Sequence, residues 1–182
     1  MAILIPYVKQ TWVDNNVSNP VSAARLGVIE EGILDVSLAP CVRVTHNAAQ
    51  GTTSGTPLTL AFNTERFDQA GGASSTMHDT VTNNSRLTAI YAGVYQISAN
   101  VEFAANSTGQ RQLEIRLNAT TTIAFNELNS SSAGSQRQTA TTLYSLAVND
   151  FVEVRVTQNS GGALNVNTAA NYSPEFSMTR VG

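Results

Sequence analysis

The chain has 182 residues, 42% of them apolar, and only 13% are charged against the ~25% usual in globular domains. Its formal net charge is -3 without any basic run, which argues against phosphate-driven nucleic-acid binding. No apolar stretch approaches the ~20 residues of a membrane span, and a single cysteine, Cys41, excludes an intrachain disulfide and a cysteine-built zinc site.

Ser, Thr and Asn fill the place of the missing charges, with 55 residues between them. Thr favours strands, while Ser and Asn favour turns. The composition therefore predicts an all-β protein with polar turns, in which Cys41 is expected as a small buried apolar residue.

Residues 1–19 have no regular pattern, and Tyr7, Val8, Trp12 and Val13 are their bulky apolar groups. The opening Met1-Ala2-Ile3-Leu4-Ile5-Pro6 lacks the basic start and apolar run of a secretory signal. Ser22 then reads as a helix N-cap. Leu26, Ile29, Ile33 and Val36 follow at spacings of 3, 4 and 3, the beginning of a heptad seam whose isoleucines suit three strands. Gly27 and Gly32 weaken this helix by ~1 kcal/mol each. Two heptads do not hold a coiled coil alone, so the helix needs another element to keep copies together. Pro40 ends it.

Residues 41–182 read as strands. Tyr95, Ile97, Ala99, Val101 and Phe103 alternate with polar residues without a break, the period of a half-buried strand. Shorter alternations occur at Val42/Val44, Leu58/Leu60/Phe62, Leu113/Ile115/Leu117, Ile123/Phe125, Tyr144/Leu146, Val152/Val154/Val156, Leu164/Val166 and Phe176/Met178. Turn clusters separate them at Ala48–Thr56, Gln69–Ser75, Thr82–Ser85, Asn106–Gln110, Asn129–Ser135 and Asn159–Gly162. Roughly eight to ten short strands at this spacing predict a sandwich or jelly roll.

Three segments carry a resemblance: Ala92-Gly93-Val94-Tyr95-Gln96-Ile97, Leu146-Ala147-Val148-Asn149-Asp150-Phe151-Val152, and Phe176-Ser177-Met178. In order and spacing they resemble the C1q/TNF-like jelly roll over residues 41–182. Gly93, Tyr95, Asn149, Asp150 and Phe176 match that family's motif, with Asn149 standing where the family has Gly. Asn also tolerates the left-handed conformation, and Asp150 can cap the turn with its carboxylate.

The start of the chain resembles phage fibre and baseplate proteins, on Thr11-Trp12-Val13-Asp14-Asn15, Val21-Ser22-Ala23-Ala24-Arg25-Leu26 and Ile29-Glu30-Glu31-Gly32-Ile33. Asn15 replaces their usual Gly. The polar block from Thr64 to Leu87 also resembles C1q-like domains of phage sequences.

Together these resemblances imply an all-β, C1q/TNF-like jelly-roll sandwich (41–182) preceded by an extended arm and one short helix (1–40), assembled as a homotrimer. They imply a bacteriophage virion structural protein, a head fibre or capsid decoration protein on the virion surface, assembled in the host cytoplasm. Tyr7, Trp12 and Val13 would attach the arm to a phage capsid or tail protein, Trp suiting an anchor because it buries a large area. Leu26, Ile29, Ile33 and Val36 would form the trimer stalk. Val94, Tyr91, Tyr144 and Val148 are the apolar positions expected at the trimer face. The alternative is a tail-tip receptor-binding knob contacting host surface glycans, for which Asn171, Tyr172 and the turn at Asn159–Gly162 are possible contributors.

For chemistry the sequence offers little. His46 and His78 stand outside any metal-ligand spacing. Glu65, Asp68 and Asp79 could supply oxygen ligands to calcium, but read more simply as solvated loop carboxylates. No nucleophile elbow or phosphate loop is present, and the sequons at Asn83, Asn106, Asn118 and Asn129 are what a chain so rich in Ser, Thr and Asn throws up by chance. No catalytic role, cofactor, metal or membrane insertion is expected.

Overall fold

The computed structural model describes residues 39–71, 76–130 and 134–182, with Ile29 described singly. Twelve strands occur among them: β1 (Cys41–Thr45), β2 (Gln50–Thr52), β3 (Leu58–Thr59), β4 (Thr64–Gln69), β5 (Arg86–Thr88), β6 (Gly93–Phe103), β7 (Gln110–Leu117), β8 (Thr121–Asn129), β9 (Gln136–Leu146), β10 (Phe151–Gln158), β11 (Leu164–Val166) and β12 (Glu175–Arg180).

They form two antiparallel sheets. The larger runs β2-β11-β6-β12-β1-β4, with β9 on the other side of β6. The smaller runs β3-β10-β7-β8, with β5 also on β10. The alternation of β6 sends Tyr95, Ile97, Ala99, Val101 and Phe103 inward, all fully or almost fully buried. Val42 and Val44 of β1 and Phe176 and Met178 of β12 join them from the same sheet. Leu113 and Ile115 of β7 and Val152, Val154 and Val156 of β10 close the core from the other sheet. Phe62 meets Phe176 with ring centroids 5.6 Å apart.

The outer faces carry ion pairs instead. Glu175, 2% exposed, accepts from Arg43 Nε at 2.8 Å and Arg66 Nη2 at 2.5 Å, which ties β12, β1 and β4 together. On the smaller sheet Glu114 accepts from Arg155 at 2.7 Å. Each buried carboxylate thus has its counter-charge.

Three strands stand where turns or polar connections are expected, β2, β4 and the short β5, which pairs with β10. β2 lies inside the Ala48–Thr56 turn cluster and needs only three residues, because β11 supplies its ladder. β4 lies inside the polar block that begins at Thr64; it borders only β1, and an edge strand tolerates polar residues on both sides. Cys41 is also not a fully buried residue. It is half-buried on β1, its Sγ 3.4 Å from Gln69 Oε1, and burial, aided by the charge of Asp68, pushes its thiol up. The expected arm and helix fall outside the described residues except for Ile29, which is helical and 40% exposed.

Candidate functional site

At one end of the sandwich, β4, the segment 76–88 and the turn before β10 converge. Asp68 Oδ2 accepts from the backbone N–H of Met77 at 2.9 Å and His78 at 3.0 Å. Its Oδ1 is buried without a hydrogen-bond partner among the described residues. Burial therefore raises the Asp68 carboxyl above its ordinary range, and the two amides offset only part of that. The His78 ring is buried, with Nδ1 2.9 Å from Glu65 Oε1 and Nε2 3.2 Å from the Asn84 carbonyl. Asp79 Oδ1 accepts from the N–H groups of Val81 and Thr82 at 2.8 and 2.9 Å, and these bonds hold its carboxyl below the usual range. Glu65, Asp68 and Asp79 are thus bound to separate protein groups, and among the described residues no cluster of three or more such ligands is placed to hold a metal ion.

This segment walls a cleft of about 340 Å³. Phe151 supplies its apolar surface above the buried Met77, while Thr82, Asn83, Arg86 and Asn149 supply polar groups. Arg86 is pinned: its guanidinium carbon lies 4.0 Å from the Phe151 ring centroid and its Nε donates to Glu153 Oε1 at 3.1 Å. Asn83 and Asn149 both hold positive φ, 54° and 69°. Both line the cleft, in a left-handed conformation that asparagine tolerates better than most L-residues.

The motif residues border this end and the core. Gly93 opens β6 at φ 159°, where a Cβ would collide with the Gly182 carbonyl and come within 2.7 Å of Arg180 Nε. The Val94 N–H donates to that same carbonyl at 2.6 Å. Tyr95 is buried, its hydroxyl donating to the Tyr91 carbonyl at 2.8 Å. Asn149 and Asp150 form the turn before β10. Asp150 Oδ2 accepts from Ala147 N–H at 2.8 Å, and Oδ1 from Asn118 Nδ2 at 2.8 Å. Phe176 is core. Tyr7, Trp12, Val13, Leu26, Ile33 and Val36 lie outside the described residues.

The other rim is already committed. Tyr172 donates its hydroxyl to Glu102 at 3.1 Å and lies under Arg137, whose Cζ is 5.0 Å from the ring centroid. Burial opposes the Glu102 charge, but bonds from Arg137, Asn167 and Tyr172 outweigh it and hold the carboxyl low. Asn159 accepts from the Gln110 N–H. Tyr172 and Asn159 are thus engaged within the fold.

The flank of the sandwich shows a second surface. β8 and β9 are edge strands of different sheets lying side by side, joined where Asn126 Nδ2 donates to the Thr139 carbonyl at 2.9 Å. Phe125, Leu128 and Leu143 there are 55%, 43% and 64% exposed. Of the four positions expected on the trimer face, Val94 and Val148 are exposed and Tyr91 is partly buried. Tyr144 opposes Tyr95 across the ladder and turns inward against the core, because the alternation of β9 puts Leu143 outside. The leucine out of phase with Tyr144 and Leu146 was the sequence signal for this surface. The cleft had none, since its groups come from separate segments.

No family model matches the chain, and no curated protein matches it. Solved structures do. The crystal structure of murine APRIL at pH 5.0 aligns with TM-score 0.57 and 8% identity, covering 79% of this chain and 99% of that one. APRIL is a TNF-family jelly roll, so the fold is a TNF-like β-sandwich. At this identity the likeness concerns the fold alone.

Proposed function

We propose that the chain is a bacteriophage virion structural protein, a homotrimeric head fibre or capsid decoration protein anchored by its N-terminal arm (about residues 1–20) and displaying the sandwich outward. Its function is attachment and display at the virion surface, with no catalytic step. The observation that carries the self-assembly is the β8–β9 flank. Two open edges side by side, bracketed by exposed Phe125, Leu128 and Leu143, are a liability in an isolated domain and an asset in a closed ring of copies. A ring of three would also bring three copies of the 26–36 segment to high effective concentration. The virion part of the reading rests on the resemblance of residues 11–33 to phage fibre and baseplate proteins.

Gold-labelled antibody against residues 41–182, applied to purified particles, tests the reading. Label spread over the capsid supports it. Label confined to the tail end selects the second reading, a receptor-binding knob, which the polar cleft favours. Particles without label at any position overturn both.

A further inference from the structure

We propose that the cleft between the 76–88 segment and the turn before β10 is a binding site for a neutral sugar ring. The proposal rests on the cleft alone and not on where the chain is displayed.

The argument is an inventory of uncommitted hydrogen-bonding groups. Asp79 spends Oδ1 on two backbone N–H groups, which leaves Oδ2 open at the cleft. Arg86 spends Nε on Glu153 and one face on Phe151, which leaves its two terminal nitrogens as a fixed pair of donors. Among the described residues the side-chain amides of Asn83 and Asn149 and the hydroxyl of Thr82 have no hydrogen-bond partner, and all three residues line the cleft. Asn and Thr both donate and accept. A carboxylate that only accepts, a guanidinium that only donates and several groups that do both complement adjacent hydroxyls, each of which donates and accepts in turn. The half-buried Phe151, with Arg86 over one face, offers its remaining apolar surface to the carbon face of a ring.

Other ligand classes fit less well. An anion would meet the Asp79 carboxylate, while the Arg86 charge is already answered by Glu153. A metal ion would find a single carboxylate among the lining residues. An apolar ligand would strand these polar groups without water. The volume of about 340 Å³ lies at the small end of ligand sites, which suits a terminal sugar unit rather than a buried chain.

Saturation-transfer and chemical-shift titrations of the full chain with methyl glucoside, methyl galactoside and N-acetylglucosamine test this, with glucuronate as the anionic counterpart. At least one neutral sugar is expected to bind saturably, with Kd on the order of 1 mM. Asp79→Asn keeps the Oδ1 that caps the 79–82 turn and removes the open acceptor; it should weaken binding about tenfold. Asn149→Gly keeps the positive φ and removes the amide; it should weaken binding about fivefold. Both variants should retain the wild-type amide spectrum away from the cleft. Tyr172→Phe, at the opposite rim, should leave binding unchanged. The proposal is overturned if none of the three sugars binds saturably, if glucuronate binds more tightly than all of them, or if binding responds to Tyr172→Phe and not to the cleft variants.

Discussion

Gly93 tolerates no side chain because two other residues occupy the place a Cβ would take. The Gly182 carbonyl and the Arg180 side chain crowd it, and the first of these also accepts from Val94 N–H. Gly93→Ala should therefore break the pairing of residues 181–182 with Val94 and cost about 1–2 kcal/mol, measured by equilibrium denaturation in urea. A change below about 0.3 kcal/mol would show that the 180–182 segment swings aside freely. The sequence pointed to a special backbone angle at Gly93, but the colliding partners lie some ninety residues away and leave no local trace. Asp150 was more legible. A carboxylate one position after an αL asparagine reaches back to Ala147 by local geometry, although its second bond, from Asn118, is again long-range.

At the scale of elements, alternation located the strands that bury one face. β6, β7 and β10 set their apolar residues on the core side, with buried Arg111 and Gln158 continuing that phase at the ends of β7 and β10, and a period of two is enough to find the strands. It was blind to β2, β4 and β5, whose ladders are made by the backbone of β11, β1 and β10 and whose side chains are mostly polar. It paired Tyr144 with Leu146 correctly; the trimer-face expectation placed Tyr144 outside, where the β6–β9 register puts Leu143. Leu143 is 64% exposed in one chain, so Leu143→Asp should keep the far-UV spectrum of a β-sandwich. On the proposed flank it places a charge against apolar surface and should weaken self-association by about 2 kcal/mol or more. Light scattering after size exclusion should show the variant falling from three times the 19.3 kDa chain mass towards one. An unchanged mass would move the assembly surface elsewhere.

For the whole molecule, the two-sheet sandwich was legible because composition, turn spacing and strand period all point the same way. The cleft was not, since Asp79, Arg86 and Asn149 are brought together only by the pairing of β5 with β10. If residues 1–20 are the attachment arm, deleting them should leave a soluble trimer that no longer co-sediments with particles; continued co-sedimentation would refute the arm's role. The pairing of β1 sets one further condition. Its neighbours are β4 and β12, and Cys41 lies opposite Thr179. Through β1 and β12 the larger sheet joins strands some 130 residues apart, so its middle cannot close before β12 is made. During synthesis β1 must wait, unpaired on one side, until β12 has left the ribosome. The sandwich is therefore bound to fold late and as a unit, and its polar β4 edge and scarcity of long apolar runs help keep the waiting chain in solution.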